Sequence, residues 1–313
     1  MGIISPNYSS LKRFEANLSG TVFSISAPEH NHPRIPANTN FGFTENLYNE
    51  CIYEQFPSAD EREVFSYNVD HINWTFWRRR LLVLIDSIAD VRFISSVFKF
   101  EQFSSLFDRR HLEHAVERLL FAHGGAYASS GLCRLNWRVQ GYNGTQWVAF
   151  ENDGRYSSGG LHNPCRSVIQ SFYLTPISDE HLLGVFFTQV ERQNAPDMAA
   201  RFEELRERVM ATTHLQLSEE STRQKQVVEK QQPDQMYPQN LPPYEFDLMP
   251  YPQESEVIEN LVEEKGSDFI NSLPVSKANR MIDERMQLEV SKYKTQVEAI
   301  MTSHLRFKNN TSD

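Results

Sequence analysis

The sequence predicts an α+β fold in which an antiparallel sheet is flanked by helices and is followed by a Gln/Pro-rich linker and a C-terminal helical arm. Two hairpin patterns predict the sheet, and amphipathic helical patterns lie apart from them. Strands and helices that are segregated along the chain are typical of α+β proteins and not of doubly wound parallel sheets. A change of composition divides the chain into a globular domain of residues 1–215, a linker of residues 216–255 and an arm of residues 256–313.

The sheet is predicted from four strand patterns. Residues 132–139 and 146–150 carry alternating apolar side chains on either side of Asn143-Gly144. An Asn-Gly pair between two such runs is the strongest short-range signal of a β-hairpin. Residues 167–174 and 182–190 form a second pattern of this kind, joined by a polar turn. We therefore expect four antiparallel strands in this part of the chain.

Further strands and two helices complete the predicted domain. Apolar β-branched and aromatic side chains predict strands at 91–100 and 80–85, and an edge strand at 23–26. A helix is expected over 108–123, because an Asp stands at its start and apolar side chains recur at helical spacing behind it. The same spacing predicts a second helix over 196–212.

The segment 216–255 is predicted to be a flexible linker. It contains 8 Gln and 6 Pro within 40 residues, and it lacks apolar periodicity. Such a segment cannot offset its ordering entropy by burial. Near its end Tyr244, Phe246 and Leu248 stand among prolines, which favour an extended shape and leave apolar side chains as anchors for a groove. These anchors either dock on the same chain or are bound by another protein.

The arm is predicted to be helical. Apolar side chains recur at helical spacing over 257–273 with a break at Gly266, and a second helix is expected over 276–305. In this second helix a narrow seam of coiled-coil type comprises Met286, Val290, Tyr293, Val297 and Ile300. The seam is too short for an independent coiled coil, so we expect it to pack on a surface of the same chain or of another one.

The charge and hydropathy of the chain narrow the classes of protein to which it can belong. The net charge is −10, with 24 acidic and 20 basic side chains in residues 1–215 and 17 and 11 in residues 216–313. Neither part is basic, so nucleic acid is disfavoured as a partner. The longest apolar run, at 81–85, is far shorter than the roughly 20 residues of a membrane-spanning helix, so no span is expected. The start of the chain lacks the pattern of a secretory signal, which predicts a cytoplasmic protein.

Candidate catalytic and metal-binding residues are few. The three cysteines form no Cys-x-x-Cys pair, so we expect reduced thiols and no disulfide framework. Cys165 lies three residues after His162, and a thiol beside an imidazole is the minimum for a thiolate nucleophile. His111 and His114 share one helix face, but a metal needs three or four ligands, and no convincing further ligand is evident. We therefore predict no metal and no cofactor, and name these four residues as candidates.

One segment, residues 71–80, combines aromatic and basic side chains. Its candidate binding residues are Trp74, Trp77, Arg78, Arg79 and Arg80. This composition suits a hot spot for a protein partner, and it also suits stacking on bases and binding to phosphate. The alternative is that the aromatic side chains belong to the core while the arginines are solvated or paired with carboxylates.

Together these features favour a non-catalytic protein-interaction protein, in which a face of the sheet domain and the tethered arm bind a partner or a second copy of the chain. No nucleophile elbow, kinase signature, dinucleotide fingerprint or P-loop is present, although active sites also assemble from dispersed residues. The alternatives are a hydrolase with a site at residues 153–165 and a nucleic-acid binder that uses residues 74–80. The sequence does not specify a small-molecule ligand.

Overall fold

The computed structural model describes most of the chain. The described residues are 3–33, 42–56, 64–79, 85–125, 133–153, 167–192, 197–237, 244–245, 254–274, 276–289, 291–292 and 295. Within them the protein has an α+β fold, as the sequence predicts. The strands are β1 (Ile3–Ile4), β2 (Leu11–Leu18), β3 (Thr21–Pro28), β4 (Phe43–Glu45), β5 (Glu54–Phe56), β6 (Val64–Arg79), β7 (Ile85–Lys99), β8 (Cys133–Tyr142), β9 (Thr145–Asp153), β10 (Ser167–Pro176), β11 (His181–Glu191), β12 (His214–Gln216) and β13 (Tyr244–Glu245). The helices are α1 (Arg109–Gly125), α2 (Met198–Ala211), α3 (Glu219–Gln231), α4 (Glu254–Lys265) and α5 (Ser267–Ser272).

The larger sheet forms the centre of the fold. Its strands follow the order β1, β6, β7, β11, β10, β9, β8, β13, and β5 also pairs with β6. All of these pairings are antiparallel. Both predicted hairpins are confirmed, as β8–β9 and β10–β11. The predicted strand at 91–100 is confirmed as β7, which begins earlier, at Ile85, whereas residues 80–84 lie outside the described residues.

The Asn143-Gly144 turn closes the first hairpin. Its two residues have φ values of 47° and 82°, and a type I′ turn requires positive φ at both central positions. Asn tolerates this conformation, and Gly adopts it without a steric penalty. The Asn143 side-chain amide also donates to the carbonyls of Ala211 and Thr213, at 2.9 and 2.8 Å. The turn is thereby fixed to the end of α2.

The smaller sheet corrects one prediction. Residues 23–26 were expected to form an edge strand, but β3 lies inside a four-stranded sheet in the order β12, β3, β2, β4. The hairpin partner β2 pairs along one side of β3, and on the other side Leu215 of β12 lies opposite Phe23. The prediction was wrong because half of the side chains in β2 are polar or charged, and because β12 has only 3 residues, too few for a periodic pattern.

Both faces of the larger sheet are buried. On one face Trp74, Phe93 and Phe187 belong to a cluster shared with the smaller sheet and α2. On the other face Phe150 and Phe172 pack with α1, and their ring centroids lie 4.8 Å apart. Burial of one such ring contributes about 1.5–3 kcal/mol. The larger sheet is therefore a middle layer, with α1 on one side and the smaller sheet and α2 on the other.

The backbone of β6 is covered in part by a loop. β5 pairs with the start of this strand and β1 with its end. Between them the Asn31 side chain accepts from the Thr75 N–H at 2.7 Å and donates to the Thr75 carbonyl at 3.2 Å. The Nδ1 of His30 accepts from the Asn73 N–H at 3.1 Å. Two loop residues thus take the place of a neighbouring strand.

The two helices predicted for the domain are confirmed. Asp108 stands before α1, and its Oδ1 accepts a hydrogen bond from the Arg110 N–H at 2.9 Å, as expected of a cap. The second helix, α2, begins at Met198 and buries Phe202, Leu205 and Val209 in the core shared by the two sheets. These are the side chains that the helical spacing places on one face.

The expected flexible linker is ordered over its first half. Residues 216–237 contain the end of β12 and the whole of α3, and they bury Val228 and Tyr237. The prediction was wrong for this half because a few anchors at the right positions suffice to hold a mostly polar helix. The packed part of the chain therefore continues beyond residue 215, while the division into domain, linker and arm stays a prediction.

The second half of the linker touches the larger sheet. The two residues of β13, Tyr244 and Glu245, pair with Arg134 and Cys133 of β8, so this part of the segment docks on its own chain. Beyond it α4 and α5 meet at Gly266, which has a φ of 86° and separates the two helices as predicted. Residues 276–289 are helical as well. The rest of the predicted second arm helix lies largely outside the described residues.

We predict that Gly144→Ala destabilises the protein by about 1–2 kcal/mol, because alanine at this positive φ brings its Cβ close to the backbone. Chemical denaturation of the variant measures this loss. Gly141→Ala is the matched control, since it lies on the same hairpin and an added Cβ there would meet nothing within 4 Å. Equal stability of the two variants would contradict the turn geometry.

Candidate functional site

A groove lies between α3 and the end of the larger sheet. Its volume is about 610 Å³, which falls within the range of about 300–1,000 Å³ that is usual for binding sites. Lining residues come from the β8–β9 turn, from the end of β10 and from the N-terminal residue of α1. The others are Phe107, which precedes α1, and residues of β12, of its connection to α3, of α3 and of the loop that follows α3. The groove therefore exists because α3 packs across this end of the sheet.

The start of α3 is fixed by a short polar cap. The Ser218 Oγ accepts from the Ser221 N–H at 3.1 Å, which satisfies one of the free donors at the helix start. The Ser218 N–H donates to the Thr21 hydroxyl at 3.1 Å, so the cap is also attached to the smaller sheet. Further along, the Gln224 side chain accepts from the Asp179 N–H at 3.1 Å. The helix wall of the groove is thus held at both sheets.

The loop after α3 is held by Asp108. The side-chain amides of Gln232 and Gln235 donate to its two oxygens at 2.8 and 2.9 Å. Burial raises the pKa of this carboxyl, but the hydrogen bonds from Gln232, from the Arg110 N–H and from Gln235 outweigh burial and lower it overall. A charged Asp108 therefore keeps this part of the groove in place.

Arg109 and Tyr237 form one part of the lining. The Arg109 guanidinium carbon lies 3.9 Å from the centre of the Tyr237 ring, a cation–π contact worth about 0.5–2 kcal/mol. Burial raises the pKa of Tyr237 to about 12, so the ring stays neutral at physiological pH. The contact holds the Arg109 guanidinium at the groove. Because the Tyr237 ring is neutral, the positive charge of Arg109 is retained.

The described lining carries more positive than negative charge. Arg109 and Lys225 line the groove with one carboxylate, Glu229, while the charged Asp108 lies behind Gln232 and Gln235, in a chain whose net charge is −10. The Lys225 Nζ and a Glu229 oxygen are 3.8 Å apart, and both side chains are about half exposed, so this ion pair is weak. Gln146 and Thr145 add amide and hydroxyl groups. The groove can therefore hydrogen-bond a polar segment and attract an acidic side chain.

Two other polar centres are structural. Arg206 of α2 is buried, and its Nη1 lies 3.0 Å both from a Glu151 oxygen and from the Ser171 Oγ. Beside it the Tyr142 hydroxyl donates to Glu207 at 2.9 Å, and burial raises the Tyr142 pKa. Because these groups lie between α2 and the sheet, they attach the helix. Loss of one partner of such a buried pair typically costs about 3–5 kcal/mol.

The second polar centre, a Ser–His pair, superficially resembles a nucleophile and its base. The Ser178 Oγ lies 2.7 Å from the His181 Nδ1, but it also accepts from the N–H groups of Glu180 and His181, at 3.2 and 3.0 Å. The His181 Nε2 contacts the Leu47 carbonyl at 3.2 Å, and the ring is fully buried. The Tyr53 ring stacks on the imidazole. The pair therefore closes the β10–β11 turn and holds the loop around Leu47.

The predicted aromatic and basic segment lies on β6. Trp74 is fully buried, and its Nε1 donates to the Pro28 carbonyl at 3.0 Å. The prediction that Trp74 contacts a partner is therefore wrong, because this ring belongs to the core. Trp77 and Arg78 are half-buried and lie opposite Ile4 and Ile3 of β1.

The remainder of that segment lies at the limit of the described residues. Arg79 ends β6 but its side chain is not among those described, and Arg80 lies outside the described residues. Their roles in binding stay predictions.

The candidate metal ligands His111 and His114 lie on α1 beside Phe103. The His111 ring stacks on Phe103 with centroids 5.5 Å apart, and its Nδ1 contacts the Ser105 carbonyl at 3.0 Å. The His114 ring lies 6.3 Å from the same phenylalanine. Among the described residues no group of three or more potential ligands is found.

Several candidate residues lie outside the described part of the chain. They are Cys165, His162, Phe246, Leu248, Val290, Tyr293 and Val297. The hypotheses of a thiol site and of a coiled-coil seam therefore stay predictions. Tyr244 is described only through its pairing with β8.

The main lining residues of the groove were not predicted. The sequence does contain a signal for α3, since Ser218 is followed by two glutamates, and a cap residue before an acidic first turn indicates a helix start. Tyr237 is an aromatic residue within the Gln/Pro-rich segment, which indicates an anchor. Neither signal shows that Arg109 and Lys225 line the same groove, because they are far apart in the sequence.

Comparisons with known proteins leave the class of protein open. No protein-family model matches the sequence, and no curated protein matches it. One solved structure is similar, that of LpqN, involved in cell envelope biogenesis of Mycobacterium tuberculosis, with a TM-score of 0.30 and 10% identity over 67% of this chain and 92% of that chain. Similarity at this level carries no argument about this chain. Over the described residues, every helix is too short or too polar to cross a membrane.

We predict that His181 contributes a loss of stability as the pH is lowered from about 6.5 to about 4. Burial lowers its pKa to about 4, whereas the unfolded residue has a pKa of about 6.5, so in this window the unfolded state binds the extra proton. The loss reaches at most about 3 kcal/mol. The loss is measured as the free energy of unfolding of the wild type minus that of His181→Gln, which should decrease as the pH is lowered through this window. A difference that does not change with pH would contradict the assignment.

Proposed function

We propose that this chain is a non-catalytic protein-interaction protein of the cytoplasm. Its groove beside α3 binds an extended segment of a protein partner that carries an acidic side chain, and its C-terminal arm provides a second contact to the partner or to another copy of the chain. A cytoplasmic location is supported by the reduced cysteines expected from the sequence, one of which, Cys51, is free and exposed.

The observation that carries the proposal is the chemistry of the groove. An amide-rich and hydroxyl-rich lining matches the donors and acceptors of a peptide backbone, and apolar side chains such as Leu217 and Phe107 lie among them. The excess of positive charge in the lining is opposite to the net charge of the chain, so the groove favours an acidic side chain on the partner. The site is built by packed elements, which reduces the entropy lost on binding.

The arm supports a second contact through its exposed apolar side chains. Phe269 of α5 is 46% exposed and Leu288 is 47% exposed, although both lie in helical segments. Apolar surface of this kind on a helix is stabilised when another surface covers it. The predicted seam of Val290, Tyr293 and Val297 continues the same segment.

We predict that Lys225→Glu weakens binding of acidic peptides by about tenfold or more, because it replaces an attractive charge in the groove by a repulsive one. Peptides would first be selected by the full-length wild-type protein from a displayed library of short random sequences. Their dissociation constants would then be measured by fluorescence anisotropy with both proteins.

Lys230→Glu is the matched control for this experiment. Lys230 lies on the same helix, is exposed, and is outside the lining of the groove, while the substitution makes the same change in net charge. We expect it to bind the selected peptides as the wild type does. The groove hypothesis fails if no acidic peptide is selected, or if the two variants weaken binding equally.

We predict that a chain ending at residue 253 keeps its unfolding transition and associates less than the full chain does, because it retains α3 and Tyr237 but lacks the arm. Calorimetry checks the first part and light scattering the second. Leu288→Glu in the full chain removes exposed apolar surface without shortening the protein, and it should lower association in the same direction. Association that is unchanged in both proteins would remove the arm from the proposal.

A further inference from the structure

A small cavity lies between the two sheets, beside an irregularity in β6. Its volume is about 10 Å³, and its lining includes Phe14 of β2, Phe23 of β3, Phe43 of β4, Asp70 of β6 and Ser95 of β7. The pairing of β6 with β7 shifts register between Asn68 and Asp70, which is how a β-bulge re-aims a side chain. The bulge thus places a carboxyl group in a seam that is lined mainly by apolar side chains.

Two buried oxygen atoms at this cavity have no hydrogen-bond partner among the residues that the structure describes. Asp70 is 6% exposed and Ser95 is 0% exposed, and both the Asp70 Oδ2 and the Ser95 Oγ are unpaired. The other carboxyl oxygen, Oδ1, accepts from the His71 N–H at 2.6 Å. Unpaired buried polar atoms are costly, and native proteins usually satisfy them with protein groups or with an ordered water.

We propose that this cavity binds one water molecule and one proton, with the water bridging Asp70 and Ser95 and the proton held on the Asp70 carboxyl. The volume corresponds to about one water molecule, which needs about 10–15 Å³. The protonated Asp70 carboxyl supplies a hydrogen-bond donor, so the water can hydrogen-bond both this carboxyl and the Ser95 hydroxyl. The site is independent of the groove beside α3.

The charged surroundings favour the neutral carboxyl. Among the described residues that line the cavity, the titratable groups are Asp70 and Glu15, and β3, β4 and β7 contribute none. Glu15 lies on the exposed side and pairs with Arg13 at 2.9 Å. Burial raises the pKa of Asp70 to about 7, against which the hydrogen bond from His71 acts in the opposite direction. A cation that would stabilise the ionised form is therefore missing from the described lining.

The proton on Asp70 makes the stability of the seam between the two sheets depend on pH. Unfolded Asp70 has a pKa of about 3.9, so between about pH 4 and 7 the folded state holds a proton that the unfolded state lacks. The contribution of Asp70 to stability therefore falls as the pH rises through this window, with a sign opposite to that of His181, and it is constant above the window. Above neutral pH the ionised carboxyl draws water into the seam, and β2 and β3 are the elements that face it.

The test uses the full chain and the variant Asp70→Asn, which keeps the shape and a donor but cannot ionise. The unfolding constant of the wild type, divided by that of the variant, should rise about tenfold for each pH unit between about pH 4 and 7. Infrared difference spectra should show a protonated-carboxyl band in the wild type at pH 6 that the variant lacks. Glu15→Gln is the control, because this residue lines the same cavity and should change neither measurement.

The water is tested separately by a crystal structure and by Ser95→Ala. We expect an ordered water between Asp70 and Ser95, and slower exchange of the β2 and β3 amides with solvent at pH 6 than at pH 8 after correction for intrinsic rates. A pH-independent ratio, no protonated-carboxyl band in a folded wild type, or a dry cavity would each overturn the proposal. If Ser95→Ala leaves the water ordered in place, the bridge to Ser95 is refuted.

Discussion

The larger sheet has two apolar faces, and the rest of the structure follows from the need to cover both. A sheet that buries aromatic rings on either side cannot be stable alone in water, because each uncovered ring would lose about 1.5–3 kcal/mol of burial. One layer cannot cover both sides, so α1 lies on one face while the smaller sheet and α2 lie on the other. The chain after α2 then returns along the sheet end, and its Tyr237 joins the cluster under α1.

The groove beside α3 and the small cavity between the sheets arise where the layers that cover the larger sheet leave gaps. The groove is open because α3 is held by caps and amide hydrogen bonds at its ends and by few buried side chains along its length. The small cavity arises because a bulge turns a carboxyl toward a seam built for apolar groups. In both places polar groups lie where the packing is incomplete, and the two proposed binding sites rest on this arrangement.

The sequence predicts the strands and helices whose side chains repeat over a long enough stretch. The Asn143-Gly144 turn and the apolar face of α1 are local features, and the structure contains both as expected. β12 and α3 could not be predicted in this way. β12 has only three residues, and α3 has one main apolar anchor, Val228, so neither has a periodic pattern that can be detected. The groove joins Arg109 to Lys225, and Asp70 faces residues of β2 and β3; such proximity depends on tertiary packing alone.

The loop at His30 and Asn31 has a consequence for the protein at high concentration. A sixteen-residue strand with free amides along one side would serve as a template on which the strands of other molecules could add, which is how fibrils grow. Asn31 occupies both backbone groups of Thr75 and therefore stands where an incoming strand would have to pair. One side-chain amide thus occupies the position at which a further strand would pair with Thr75, in the longest strand of the described fold.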